Sequence, residues 1–196
     1  RAGAAGGTMI LIIDLCYRED SLSREEFVAP IERLLRKSGR EFDARHYKAL
    51  SATDIADADA AILCGTALMD TGFAERPDLF CWLLEFDRPV LGISSGMRAL
   101  AAAFGAGAEP GCGIGMTEVE VLALDPLFAG KERFSAYEVR GCAVGVPDGF
   151  VALAASEGRV QAIRHRSFPL YGLLFHPEVR NEWLIERFLG LVDQRP

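Results

Sequence analysis

Short apolar runs alternate along the chain with segments whose residues favour helices. The runs at 8–14, 60–65, 90–94 and 170–175 are typical of strands buried on both faces, and 42–47 is also strand-like. Helical spacing or composition covers 23–38, 52–57, 78–86, 97–104 and 181–192. This alternation predicts an α/β fold built on a doubly wound, mainly parallel sheet flanked by helices.

Two segments modify this alternation. Pro30 lies inside the first helical segment and removes a backbone hydrogen bond, so regular helix is predicted to begin only near Ala29. From Thr117 onward, short strand-like stretches are separated by Gly, Pro and Asp residues. That pattern favours antiparallel strands added to the parallel sheet.

Length and composition indicate a folded chain with one core. With 196 residues, of which 50% are hydrophobic and 25% charged, residues 9–196 are expected to form a single domain. Residues 1–8 precede Met9 and a first strand, and are expected to be a cloning remnant rather than structure.

Charge and cysteine usage restrict the class of partner and the compartment. The 21 basic and 28 acidic residues leave a net charge of −7, which argues against a nucleic-acid partner. No apolar run approaches the roughly 18 residues that span a bilayer, and no secretory signal is recognisable. The five cysteines contain no CxxC pair, so reduced thiols are expected rather than a disulfide framework or a metal site. These features predict a cytoplasmic protein with no membrane partner.

A candidate nucleophile lies where the third apolar run meets a helix. Gly92 to Gly96 read GISSG, which fits the G-x-S-x-G pattern of a nucleophile elbow. Glycines on both sides of Ser94 would let strand and helix approach closely, and the amides of Ser95 and Gly96 would face a developing oxyanion. The alternative is a strand-to-helix turn that only packs closely.

A candidate base and its partner follow the last apolar run. His176, Pro177 and Glu178 come directly after it, and proline stops strand pairing there. A histidine close to Ser94 can act as general base, and a carboxylate on its other ring nitrogen fixes the tautomer. The alternative is an exposed histidine followed by a glutamate that begins a helix.

These motifs together resemble the class I glutamine amidotransferases, from Met9 to the last helix. The resemblance rests on PVLGISSGM (89–97), where that family has a G-x-C-x-G elbow, and on VQAIRHRSFPLYGLLFHPEV (160–179), where it has a strand that ends in HPE. LCGTALMD (63–70) stands at the place of the family's oxyanion loop.

The resemblance implies a flavodoxin-like amidotransferase fold and hydrolysis of the glutamine side-chain amide. By that resemblance Ser94 is the nucleophile, His176 the general acid and base, and Glu178 the residue that orients the imidazole. Gly65 and Ser95 would form the oxyanion hole. The reaction needs no cofactor, and the ammonia would pass to a partner synthase subunit.

Four positions depart from the family's pattern. Ser94 stands in place of the cysteine nucleophile, and an alcohol is much less acidic than a thiol of pKa about 8.5. Arg98 and Tyr137 replace a glutamine and a histidine, which makes them candidate substrate-binding residues. Leu174 replaces a glutamine before the HPE segment.

Three functions remain open from the sequence. The first is a glutaminase subunit that uses Ser94, or a cysteine at this position in the natural protein. The second is a catalytically degenerate homologue retained for binding or regulation. The third is a serine hydrolase or peptidase on the same scaffold.

Overall fold

Strands and helices alternate through the first half of the chain, and strands dominate the second. The computed structural model describes residues 8–194, so the segment predicted to be a remnant lies outside the described residues except for Thr8. The strands are β1 (Met9–Asp14), β2 (Glu41–His46), β3 (Ala60–Leu63), β4 (Val90–Ile93), β5 (Ala108–Glu109), β6 (Gly113–Val121), β7 (Arg133–Arg140), β8 (Ala143–Val144), β9 (Phe150–Ser156), β10 (Arg159–His165) and β11 (Leu170–Leu173). The helices are α1 (Ser23–Phe27), α2 (Ala29–Lys37), α3 (Ala52–Asp57), α4 (Ser95–Ala103), α5 (Pro177–Arg180) and α6 (Trp183–Asp193), with 3₁₀ helices at Pro77–Leu84 and Pro126–Phe128.

Within residues 8–194, a nine-stranded sheet runs through the molecule in the order β2-β1-β3-β4-β11-β10-β9-β6-β7. Neighbours from β2 to β11 are parallel, and those from β11 to β7 are antiparallel. This confirms the predicted α/β fold class and the antiparallel addition. The parallel strands β1, β3, β4 and β11 end at the same edge, where the candidate site residues follow them.

The first helical segment is broken as Pro30 predicts. Helix α1 ends at Phe27, and α2 starts at Ala29 with Pro30 in its first turn, where a missing N–H costs little. The predicted helix over 78–86 is instead the 3₁₀ helix Pro77–Leu84. Phe80 and Leu83 are its buried residues, and a spacing of three places both on one face of a three-residue turn.

Apolar side chains fill the space on both faces of the sheet. In β1, Ile10 and Ile12 point into one core cluster, and Leu11 and Ile13 into the other, as strand alternation requires. Helices α2 and α6 contribute to the first cluster, and α4 with the 3₁₀ helix Pro77–Leu84 to the second. No helix in the described part of the chain is long and apolar enough to cross a bilayer.

Helix α4 packs unusually close to the sheet, and two glycines allow it. A Cβ atom added at Gly96 would lie 2.1 Å from the carbonyl oxygen of Leu63. One added at Gly92 would lie 2.7 Å from the carbonyl carbon and oxygen of Gly96. Because these contacts involve backbone atoms, which cannot move aside cheaply, both positions require glycine.

We expect Gly96→Ala to lower the free energy of unfolding by about 1–3 kcal/mol, because overpacking against backbone exceeds the gain in helix propensity. Gly190→Ala is the matched control, since Gly190 also lies in a helix but has open space around its Cβ position. That change should stabilise the protein by about 0.5–1 kcal/mol. Urea unfolding followed by circular dichroism measures both; equal effects would contradict the packing argument.

Candidate active site

Ser94 occupies the turn between β4 and α4 in a conformation that non-glycine residues seldom adopt. Its φ of 51° and ψ of −106° place it in the left-handed half of the map, although it carries a side chain. Two backbone hydrogen bonds hold it there: its amide donates to the Leu173 carbonyl at 2.7 Å, and its carbonyl accepts from Arg98 at 3.2 Å. The sequence prediction of an elbow at this position therefore agrees with the backbone geometry.

His176 and Glu178 form a buried pair at the end of β11. The imidazole Nδ1 and the Glu178 Oε1 are 2.8 Å apart, and the two residues are only 1% and 6% exposed. Since the carboxylate can only accept, Nδ1 carries the proton that it donates to Glu178. The second ring nitrogen, Nε2, is buried and has no hydrogen-bond partner among the described residues. In the neutral ring this nitrogen has a free lone pair, as a general base requires.

Strand β7 brings Ser94 and His176 to a common point. The Ser94 hydroxyl donates to the carbonyl oxygen of Val139 at 3.3 Å. The same carbonyl interacts with His176, and the His176 amide donates to the Tyr137 carbonyl at 2.8 Å. The two side chains therefore share one site, with the backbone of β7 as its wall. The Ser94 hydroxyl is bonded to this wall rather than to the imidazole.

The candidate oxyanion donors lie on either side of this site. A Cβ atom added at Gly65 would lie 2.6 Å from the Cε1 atom of His176, so its backbone passes directly beside the imidazole. Ser95 is buried at the first position of α4, where amides have no partner within the helix. Both amides are thus available on segments that flank Ser94.

The two candidate substrate-binding residues differ in what they present. The guanidinium of Arg98 lies 5.1 Å from the centroid of the Phe73 ring and faces a cavity of about 370 Å³. Apolar residues including Phe80 and Ala99 also line this cavity, whereas Ser94 and His176 do not. Within residues 8–194, Arg98 has no carboxylate partner. Tyr137 is half-buried on β7, and its backbone carbonyl holds the His176 amide.

Two contributors to the site were missed in the sequence. Val139 acts through its backbone carbonyl, which any residue supplies, so no residue type could have marked it. Phe27 packs its ring against the His176 imidazole with 5.5 Å between centroids. Its helical spacing predicted only an apolar face of the first helix, and nothing in the pattern linked that face to a segment so distant along the chain.

Burial and charge act in opposite directions on His176. Burial would lower the pKa of the imidazole, but the hydrogen bond and the negative charge of Glu178, together with the Val139 carbonyl, raise it above its ordinary value. The raised pKa makes the ring a better proton acceptor. It also means that the protonated pair is more stable in the folded than in the unfolded chain.

Comparison with protein families gives a match over most of the chain. The family model described as "Glutamine amidotransferase class-I" matches residues 23–184. Among curated relatives, a glutamine-hydrolyzing GMP synthase subunit of Methanosarcina barkeri is 32% identical over 163 residues, covering 70% of this chain and 86% of that protein. The protein of the same name from Methanothrix thermoacetophila is 38% identical over 144 residues, covering 68% and 77%.

Comparison with solved structures supports the fold. A crystal structure of a Thermoplasma acidophilum protein has a TM-score of 0.83 at 22% identity, covering 97% of this chain and 96% of that chain. A glutamine amidotransferase from Thermotoga maritima has a TM-score of 0.71 at 19% identity, covering 96% and 83%. At these identities the likeness concerns the arrangement of helices and strands.

We expect Glu178→Gln to lower the pKa of His176, because the imidazolium loses its negative partner. The raised pKa stabilises the fold fully below about pH 6.5, the ordinary histidine value, and this contribution disappears as pH rises through the folded pKa. The excess stability of the wild type over Glu178→Gln should therefore decrease between pH 6 and higher pH, by at most about 1.4 kcal/mol per pH unit for one proton. Urea unfolding across this range measures it.

An NMR titration of the imidazole signals supplies the control. The pKa of His165 is lowered by burial and involves no contact with Glu178. It should be unchanged in Glu178→Gln, and an unchanged His176 titration would contradict the pairing.

Proposed function

The chain belongs to the class-I glutamine amidotransferase family, and from that premise we propose that it hydrolyses the side-chain amide of glutamine and supplies ammonia to a partner synthase subunit. The observation that carries this proposal is the His176 imidazole, paired with Glu178 and free at Nε2, in the same site as the elbow residue Ser94. We further propose that a single domain over 9–196 carries the activity, in the cytoplasm.

In the first half-reaction, the Ser94 oxygen attacks the carbonyl carbon of the glutamine side chain. The hydroxyl proton moves to Nε2 of His176, and Glu178 stabilises the resulting imidazolium. The carbonyl oxygen becomes an oxyanion that accepts hydrogen bonds from the Gly65 and Ser95 amides. When the carbon–nitrogen bond breaks, the imidazolium returns its proton to the nitrogen, and ammonia leaves behind a γ-glutamyl ester on Ser94.

In the second half-reaction, water takes the place of the serine hydroxyl. His176 accepts a proton from water as the water oxygen attacks the ester carbon, and the same amides receive the second oxyanion. Collapse of this intermediate returns the proton to Ser94 and releases glutamate. To start the cycle, the Ser94 hydroxyl must exchange its bond with the Val139 carbonyl for one with Nε2.

We propose that Arg98 binds the α-carboxylate of the substrate. Its guanidinium is the charged group in a largely apolar cavity, and its helical position lies one turn from Ser94. A carboxylate there would find a cation that has no carboxylate partner among the described residues. Tyr137 would line the opposite side of the substrate on β7.

The proposed partner follows from the relatives. Their name describes the glutamine-hydrolyzing part of a GMP synthase that is divided between subunits, and it supports a second subunit that receives ammonia and produces GMP. Glutamine is the corresponding substrate. The net charge of −7 favours a protein partner over nucleic acid.

A second candidate function is a binding or regulatory role without turnover. It is favoured by the serine at position 94 and by the hydrogen bond that directs this hydroxyl to Val139 instead of His176. A serine hydrolase on the same scaffold is distinguished by a fluorophosphonate probe, which would label Ser94 in the wild type but not in His176→Ala.

The glutaminase proposal is tested by ammonia release from glutamine, with and without the synthase subunit. We expect Ser94→Cys to turn over faster than the wild type, since a thiol ionises far more readily than an alcohol. In either background, His176→Ala should lower kcat by about 10²–10⁴-fold, the contribution of a general base. His165→Gln, which removes an imidazole elsewhere, is the control. Ammonia at buffer level for both nucleophiles, with partner binding that survives His176→Ala, would favour the regulatory function.

The role of Arg98 predicts a change in substrate affinity rather than in chemistry. Arg98→Met should raise KM for glutamine by about 10–100-fold, the loss of a charge-assisted hydrogen bond, with little change in kcat. It should also reduce the preference for glutamine over 4-aminobutanamide, which lacks the carboxylate. Arg76→Met is the matched control, because Arg76 is exposed and pairs with Asp78. An unchanged substrate preference would contradict carboxylate binding.

A further inference from the structure

The segment that follows β3 carries the proposed oxyanion donor but has little packing of its own. Gly65 lies against the His176 ring, and the chain then turns so that the Asp70 amide donates to the Ala67 carbonyl at 2.9 Å. The residues between them include Leu68 and Met69, which are 37% and 89% exposed. Apolar burial therefore does little to fix the path of this loop.

One carboxylate oxygen holds the loop at two points. The Thr66 hydroxyl, on a residue that is 2% exposed, donates to Oδ2 of Asp70 at 2.7 Å. The amide of Tyr17, which follows β1, donates to the same oxygen at 3.3 Å. Asp70 thus connects the loop after β3 both to itself and to the loop after β1.

The segment after β1 is itself well anchored. The Cys16 amide donates to Oδ1 of the buried Asp14 at 2.8 Å, and the Cys16 carbonyl lies 2.7 Å from Nε2 of His46. Burial, with the hydrogen bond and charge of Asp14, raises the pKa of the Cys16 thiol to about 12 and keeps it protonated. The Thr66 hydroxyl also hydrogen-bonds this thiol. Asp70 therefore ties the loop after β3 to a rigid neighbour.

We propose that Asp70 is a positioning residue, which through Thr66 and Tyr17 holds the Gly65 amide where it can receive the oxyanion. The inference deepens the proposed glutaminase function and rests on it for its catalytic consequence. Removal of the acceptor leaves the buried Thr66 hydroxyl without this bond, and the loop shifts to find another partner. Because an oxyanion exists only in the transition state and intermediates, such a shift lowers kcat and leaves KM nearly unchanged.

The variants separate a hydrogen-bonding role from a charge role. Both bonds fall on one oxygen, which the amide oxygen of Asn can replace, so Asp70→Asn should stay within about twofold of the starting kcat. Asp70→Leu should lose about tenfold or more in kcat, part of the effect of removing an oxyanion donor. Thr66→Val should lose a similar factor, and the double variant should lose no more than either single change. Asp78→Leu is the matched control, because Asp78 is exposed and pairs with Arg76.

A second readout reports on the oxyanion site itself. Glutamate γ-semialdehyde forms a hemiacetal when the nucleophile adds to its carbonyl carbon, and the carbonyl oxygen then occupies the oxyanion position. Across the variants, its inhibition constant should rise in proportion to the fall in kcat/KM. A purely structural role for Asp70 would lower the unfolding temperature without this correlation. Asp70→Leu with unchanged kcat and unchanged inhibition would overturn the proposal.

The positional part of the inference is tested without turnover. We expect hydrogen exchange at the Gly65 and Thr66 amides, measured by NMR, to be faster in Asp70→Leu and Thr66→Val and unchanged in Asp70→Asn and Asp78→Leu. If ammonia release is absent in both Ser94 and Ser94→Cys chains, the proposed function fails, and this exchange pattern still decides whether Asp70 holds the loop. Unchanged exchange in Asp70→Leu would exclude that role, even in an active enzyme.

Discussion

The geometry of the site is set by how closely helix α4 approaches strand β3. Because Gly96 has no side chain, the first turn of α4 can lie directly against the Leu63 carbonyl. That approach leaves only a sharp turn between β4 and α4, and Ser94 must adopt a positive φ to make it. The strain of about 1–3 kcal/mol for such a residue is offset by the packing around it. The same contact places the Ser95 amide beside the Gly65 segment.

The electrostatics of the site follow from its burial. His176 and Glu178 are almost completely excluded from water, so their interaction is poorly screened. The Glu178 carboxylate fixes the proton on Nδ1 and leaves Nε2 as the free position. A serine needs such a base more than a cysteine does, since its hydroxyl is far less acidic. The departure at position 94 thus increases what is demanded of the imidazole, and the paired carboxylate supplies that basicity.

Most of the fold was predictable because it rests on local and periodic signals. The apolar runs at β1, β3, β4 and β11 predicted buried parallel strands, and Pro30 predicted the break between α1 and α2. Two site residues were close enough in sequence to be paired by reasoning, because His176 and Glu178 lie at one strand end. The Val139 carbonyl and the Asp70 carboxylate were not predictable. Their roles depend on where β7 and the loop after β3 fold back in space.

Residue order alone was enough to establish the succession of strands and helices, the glycines that flank Ser94, and the residues able to act as nucleophile, base and orienting carboxylate. These follow from side-chain chemistry and from periodicities of two and 3.6 residues, which are local properties. Three contacts needed the folded chain: the bond from the Ser94 hydroxyl to β7, the approach of Gly65 to His176, and the exposure of Arg98 to a cavity. Such contacts join residues far apart along the chain, and their distances depend on how the whole sheet twists and pairs.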